Sequence, residues 1–310
     1  YKSKGIVTSD GTFDIFGETV TGRIRINNTD YVAGGDVQKY IGEEIIFYYK
    51  FSEDDGVGKI LYAEPTSKNT VFTVVGSDIS ERTSLSELVY DDNGKMKAYS
   101  IASDVKVLYN GTAEFGYTRE MLMPQEGIVT VIDNDADKRA DVIVIYDYKI
   151  GVVNNYNSAL KRIILKYSQR PVSLEDYEDV IIRKNGADVS ADELREWDVL
   201  NICENKSRIV IDVSSSPVSG TVKSLYLGES DKTVVIDDAS LKVSQKYIEQ
   251  SGELKVGEKG IFYTNILGKI VCANYGTTSR RNYSVILKAF MDEENETTAK
   301  FRIFKKDNTS

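Results

Sequence analysis

The run Asp133-Asn134-Asp135-Ala136-Asp137-Lys138-Arg139-Ala140-Asp141 comes nearest to chemistry in this 310-residue chain. Side-chain oxygens at alternate positions have the spacing of loops that surround a hard cation with six to eight oxygen ligands. Asp133, Asp135, Asp137 and Asp141 are therefore the candidate metal ligands, and calcium is the candidate cofactor. A helix-flanked loop of that kind carries Gly at its sixth position and Glu at its twelfth, where this chain has Lys138 and Val144. The flanking runs read as strands. The alternative is a solvated turn joining them, because Asp and Asn tolerate turn conformations and bond their own backbone.

Other residue types point away from catalysis. The pairs Asp54-Asp55, Asp91-Asp92 and Glu293-Glu294 could supply the acid and base of a glycosidase, but each lies in polar, loop-like sequence. The chain has 0 histidines, which removes the usual general base, the usual triad member and the commonest zinc ligand. There is no Gly-x-Ser-x-Gly elbow and no Gly-rich phosphate loop ending in Lys-Ser or Lys-Thr. The expectation is a protein that is not an enzyme, with no catalytic residues and no cofactor beyond calcium. Trp197 and the tyrosines could stack on sugar rings, although Trp197, between a capped helix and the run Val199-Leu-Asn-Ile, is expected in the core of its own module. Cys203 and Cys272 lie in apolar runs and read as two small buried hydrophobes rather than a disulfide. Sequons at Asn27, Asn110, Asn205 and Asn295 fit surface loops and chance equally.

The elements that must position these groups recur along the chain, which decides the architecture. One segment runs from Gly5-Ile-Val through Arg23-Ile-Arg-Ile and Gly42-Glu-Glu-Ile-Ile-Phe-Tyr to Gly58-Lys-Ile-Leu-Tyr-Ala63. A second runs from Gly220-Thr-Val through Thr233-Val-Val-Ile and Gly257-Glu-Lys-Gly-Ile-Phe-Tyr to Gly268-Lys-Ile-Val-Cys-Ala273. Length differences fall in polar loops such as 52–56, where they are tolerated. A looser third copy starts at Gly151-Val-Val and ends at Arg208-Ile-Val-Ile-Asp-Val. About five short alternating runs per roughly 60 residues predict a mainly β fold of tandem small antiparallel β-barrel or sandwich modules with short helical insertions. Ser190-Ala-Asp-Glu193 is a capping box that starts one insertion, and Asp36-Val-Gln-Lys-Tyr-Ile reads similarly. The expected spans are 1–67, 150–217 and 218–278 for barrel modules, 68–149 for a divergent module or insertion, and 279–310 for the first hairpin of a further, truncated module. Neighbouring modules are expected to dock weakly.

Composition is that of a folded chain: 41% apolar, net charge −9, with 39 basic residues scattered among 48 acidic ones. No basic stripe forms, so nucleic acid is not expected as a partner. No stretch approaches the roughly 20 apolar residues of a membrane-spanning helix, and membrane insertion is not expected. Residues 1–5 carry neither an initiator Met nor a signal-peptide core, so both ends are expected to be cut from a longer chain.

The module openings Gly5-Ile-Val and Gly220-Thr-Val, the closing runs Gly58-Lys-Ile and Gly268-Lys-Ile, the strand-turn Leu108-Tyr-Asn-Gly111 and the acidic hairpin from Val131-Ile-Asp to Asp141-Val-Ile-Val-Ile carry a resemblance. Together they resemble the β-rich regions that accompany S-layer-homology domains in cell-surface proteins of clostridia and related Gram-positive bacteria. The resemblance covers nearly the whole chain. It implies export, a wall-associated extracellular location, and partners in the cell wall or in neighbouring copies, reached through domains outside this fragment. It carries over no catalytic residue. The reading is a structural spacer segment of a secreted surface protein. Its alternatives are a phage tail or virion component, a calcium-dependent adhesin or carbohydrate-binding module, and the accessory part of a wall hydrolase.

Overall fold

Apolar residues at every second position give a strand one dry face and one wet face, and most of this chain is built of such segments. The structure is a computed structural model that describes residues 1–18, 22–34, 36–51, 56–227, 232–245, 247, 254–275, 285–292 and 295–304, with residue 227 and the last two ranges as backbone alone. It is mainly β, in small barrel-like units with short 3₁₀ turns. Among the described residues no helix is long and apolar enough to cross a membrane.

The first unit contains β1 (Lys2–Ser9), β2 (Ile24–Ile26), β3 (Thr29–Val32), β4 (Glu44–Phe51) and β5 (Gly58–Pro65), a closed barrel in the order β1-β2-β3-β5-β4. Neighbours are antiparallel except β3 and β5, which run parallel. A 3₁₀ turn, Val37–Tyr40, links β3 to β4. This is the order of the five-stranded Greek-key barrel known as the OB-fold. Val7, Ile24, Ile26, Ile45, Phe47 and Ile60 fill it.

The next unit contains β6 (Thr70–Val75), β7 (Glu87–Asp92), β8 (Lys95–Tyr109), β9 (Thr112–Glu114), β10 (Gly127–Asp133) and β11 (Arg139–Asp147), paired as β6-β10-β11-β8-β7 with β9 on β8. The β8–β11 pair is parallel, and a bridge from Ile79 to Tyr90 joins the first strand to the second. The cyclic order is that of the first barrel, with β9 added. Residues 68–149 thus have the shared topology, which the 15-residue β8 and the single bridge obscure in the sequence.

The third unit contains β12 (Lys149–Asn157), β13 (Arg162–Leu165), β14 (Val172–Ser173), β15 (Asp179–Lys184), β16 (Ala187–Asp188), β17 (Val199–Glu204) and β18 (Arg208–Ser214). Here the third position is split by the turn Leu174–Asp176 into β14 and β15, and β15 again runs parallel to the fifth-position strand, β18. The Ser190 capping box forms as expected, at the head of the 3₁₀ turn Ala191–Glu193. The fourth unit contains β19 (Val218–Leu227), β20 (Lys232–Ile236), β21 (Ala239–Lys242), β22 (Lys259–Thr264) and β23 (Ile270–Asn274), ordered β21-β20-β19-β22-β23. A parallel bridge between Val243 and Ile270 completes its ring. A final hairpin follows, β24 (Val285–Asp292) with β25 (Asn295–Phe304).

The first and fourth barrels share two hydrogen bonds at equivalent positions. Asn27 Oδ1 accepts from Ile6 N, and Asp237 Oδ1 from Thr221 N. Gly42 N donates to Val7 O, and Gly257 N to Val222 O, both at 2.8 Å. Gly42 and Gly257 have φ of 84° and 88°, the left-handed region that glycine enters without cost. In the third barrel Trp197 N makes the same bond, to Val153 O, and Trp197 holds a φ of 74°.

Barrel cores do not end at barrel walls. Strand β17 is buried at Val199 through Cys203 without alternation: Leu200 and Ile202 enter their own core while Val199 joins the core of barrel 4 with Ile150 and Val152. In β11, Ile143 and Ile145 face inward, while Val142 and Val144 pack with Ile15 of barrel 1. A strand buried on both faces gives its outer side chains to the neighbouring barrel.

Candidate functional site

The acidic run joins β10 to β11, and its backbone turns through left-handed Ala136 (φ 71°) and Lys138 (φ 69°). Asp133 is 1% exposed, so its carboxylate must be paired. One oxygen accepts from Ala136 N (2.7 Å) and Asp135 N (3.3 Å), the other from Lys138 N (3.0 Å) and Tyr99 Oη (2.9 Å). Asp135 accepts from Asp137 N, and Asp141 from Asn134 N. Carboxylate oxygens of Asp133, Asp135 and Asp141 lie within 4.8 Å of one another. Asp137 lies outside this group: its Oδ1 accepts from Arg139 N at 2.8 Å in an exposed position.

Burial raises the Asp141 carboxyl above its ordinary value, against the Asn134 N–H bond and with the neighbouring charges of Asp135, Asp133 and Asp137. Burial and the Asp133 carboxylate push the Tyr99 hydroxyl up to about 12. The arrangement is a self-bonded turn that also gathers three hard oxygen donors; calcium would have to draw its remaining oxygens from elsewhere.

The other candidates disperse. Asp91 accepts from Gly94 N and Asp92 pairs with Lys97, both within the β7–β8 hairpin. Asp54-Asp55 and Glu293-Glu294 lie outside the described residues. Asn27 and Asn110 accept from the distant backbone N–H groups of Ile6 and Asp147, Asn205 accepts from Arg208 N within its own turn, and the Asn295 side chain is outside the description. Cys203 and Cys272 are free and buried, and burial pushes both thiols up to about 12. Trp197 is not in the core of its own barrel: it stacks on Tyr263 of barrel 4 (5.4 Å, 11°), with Lys166 Nζ 3.8 Å from its centroid.

What the sequence did not reveal is a set of buried polar contacts between barrels. Glu126 immediately precedes β10, and its side chain is 12% exposed. Its two oxygens accept from Ser244 Oγ (2.6 Å) and Asn265 Nδ2 (2.9 Å) of barrel 4. Lys269 Nζ, 8% exposed, lies 3.7 Å away and donates to Gln125 O at 3.2 Å. Asn201, fully buried, donates to Asp212 O and Ser214 Oγ and accepts from Ile266 N of barrel 4. Barrels 1 and 3 also meet, with Arg208 over the Phe13 ring at 5.2 Å. An open cleft of 780 Å³ lies where barrels 1, 2 and 3 converge, lined by Phe13, Glu18, Tyr109, Glu114, Asp179 and Arg208 among others. Arg208 is committed there to Asp179. No local pattern marks Glu126, because its partner Asn265 is 139 residues away; only the loss of alternation in β11 and β17 hinted at a second packing partner.

No protein-family model matches the chain, and no curated protein matches it. Among solved structures it is similar to a chain described as drosophila Unr CSD456, with 10% identity over 66% of this chain and 94% of that one, at a TM-score of 0.19. A likeness of that size carries no argument about fold or role.

Proposed function

We propose that this chain is a non-catalytic structural segment of a secreted bacterial cell-surface protein of the S-layer type, extracellular and tied to the cell wall through domains outside residues 1–310. The observation that carries the reading is where the unusual side chains are used. Buried Glu126, Lys269, Asn201 and both thiols sit at seams between barrels, an arrangement suited to fixing modules against one another. Contacts also skip a barrel, 1 to 3 and 2 to 4, which stiffens the segment beyond a string of independent beads. Arg25, on the strand pair an OB-type barrel offers to nucleic acid, is held by Asp14, Glu18 and Asp30, and with the net charge of −9 this supports a role without nucleic acid.

A membrane-impermeant amine label applied to intact cells producing the full-length protein should modify exposed lysines such as Lys95. Labelling only after lysis would refute the location.

A second reading, a calcium-dependent adhesin, is favoured by the meeting of Asp133, Asp135 and Asp141. Calcium bound only by the folded state at a hundredfold excess over its Kd would add about 2.7 kcal/mol. A melting temperature indifferent to calcium removes this reading.

A further inference from the structure

Barrels 1, 3 and 4 open with the same step in register. Between their first and second strands, Val7 faces Ile26 and Ser9 faces Arg25; Val153 faces Leu165 and Asn155 faces Ile164; Val222 faces Ile236 and Ser224 faces Val235. Each first strand advances two residues while its partner advances one, a β-bulge set just beyond a pair of apolar residues. Val7 and Ile26 lie in the core of barrel 1, Val153 in that of barrel 3, and Val222 and Ile236 in that of barrel 4. The final hairpin repeats the step: Ile286 faces Ile303 and Lys288 faces Arg302. By register, β24 and β25 are the first and second strands of a barrel. Two strands alone are marginal in water, and this fold requires a third, fourth and fifth.

Barrel 4 carries a matching seat. In barrel 1 the seat is Ile41–Gly42. Ile41 packs with Ile132 and Val142, from the fourth and fifth strands of barrel 2, and a Cβ on Gly42 would meet the same two side chains at 3.0 Å. In barrel 3 the residue equivalent to Gly42 is Trp197, which stacks on Tyr263 of the fourth strand of barrel 4. Each seat is thus filled by the barrel next along the chain. In barrel 4 the equivalent pair is Val256–Gly257, held by the bond from Gly257 N to Val222 O. Val256 is 61% exposed, and no described residue comes within 4 Å of a Cβ placed on Gly257.

We propose that β24–β25 opens a fifth barrel, completed by polypeptide that follows Ser310, and that the hairpin of its fourth and fifth strands docks on Val256–Gly257. The inference rests on register and on the two filled seats, not on the location proposed above. The test compares the 310-residue chain with the natural polypeptide prolonged past Ser310 by the length of one barrel. Amides of residues 286–303 should exchange roughly a hundredfold more slowly in the longer polypeptide. A Val256→Cys thiol should react with maleimide roughly tenfold more slowly there, while Phe115→Cys, at a position 80% exposed on barrel 2, should react equally in both. Hydroxyl-radical footprinting of Val256 in the unsubstituted chains reads the same burial should the Val256→Cys variant melt early. A reading frame that stops at Ser310 overturns the proposal, as does exchange at 286–303 that is equal in the two chains. A slowed hairpin with Val256 as accessible as before would overturn the docking.

Discussion

The two ends of strand β10 use carboxylates in opposite ways. At its start, Glu126 is bonded by Ser244 and Asn265 and faced by Lys269, all from barrel 4. At its end, Asp133 is bonded by three backbone N–H groups of its own turn and by Tyr99 of its own barrel. Both carboxylates are shielded from water, and both are satisfied. The difference is the distance along the chain from which satisfaction comes, and it separates a residue that holds barrels together from one that shapes a turn. A conspicuous run of acids is therefore a poorer guide to architecture here than a single glutamate beside a proline-containing turn.

The contrast can be broken by substitution. The largest effect belongs to Glu126→Gln, which leaves Lys269 buried without its counter-charge; breaking such a pair costs about 3 kcal/mol or more. Denaturant melts should show that loss, and hydrogen exchange should quicken around Asn265 in barrel 4 as well as around Glu126. A loss confined to barrel 2 would mean that the contact does not join the barrels. Asp133→Asn comes next. The amide cannot accept from both Lys138 N and the Tyr99 hydroxyl, and losing hydrogen bonds to a charged group costs about 2 kcal/mol. Faster exchange should stay within residues 133–139, and spread into barrel 4 would erase the distinction between the two ends.

The smallest effect is one of pH. The folded-state pKa of Asp141 lies above its ordinary value of 3.8, so between the two values the folded state binds more protons than the unfolded state. Stability then falls as pH rises through that window, and the cost persists to neutrality. Asp141→Asn should accordingly stabilise the protein at pH 7, by an amount that shrinks as the pH is lowered toward 4. An advantage that grows on acidification would contradict the assigned direction.

Much of the fold was legible. The mainly β character and small barrels follow from strand alternation, and the close match of residues 5–63 to 220–273 follows from the glycines at the left-handed position and the Phe-Tyr pair after them. The second barrel was harder, because β8 continues through pairings with β7, β11 and β9 and the ring closes by one bridge. Trp197 misled because it stands where the other two barrels have glycine; only the backbone bond to Val153 identifies the position. Of the acidic run, Asp133, Asp135 and Asp141 converge and Asp137 does not, since alternate spacing specifies sides of an extended chain and this turn is not extended. The seams between barrels had almost no local signature, because hydrogen bonds between residues a hundred or more positions apart leave no periodicity.

The central claim is that the barrels are locked face to face, and the two free thiols report on it directly. Cys203 and Cys272 are paired across strands with Val210 and Tyr263 on the outer sides of their own barrels, so it is the neighbouring barrel that keeps water from them. Maleimide labelling of the native protein, resolved by cysteine, should find both thiols unreactive until the chain unfolds globally. Labelling of either at the rate of an exposed thiol, with the barrels still folded, would show that they hang as separate beads.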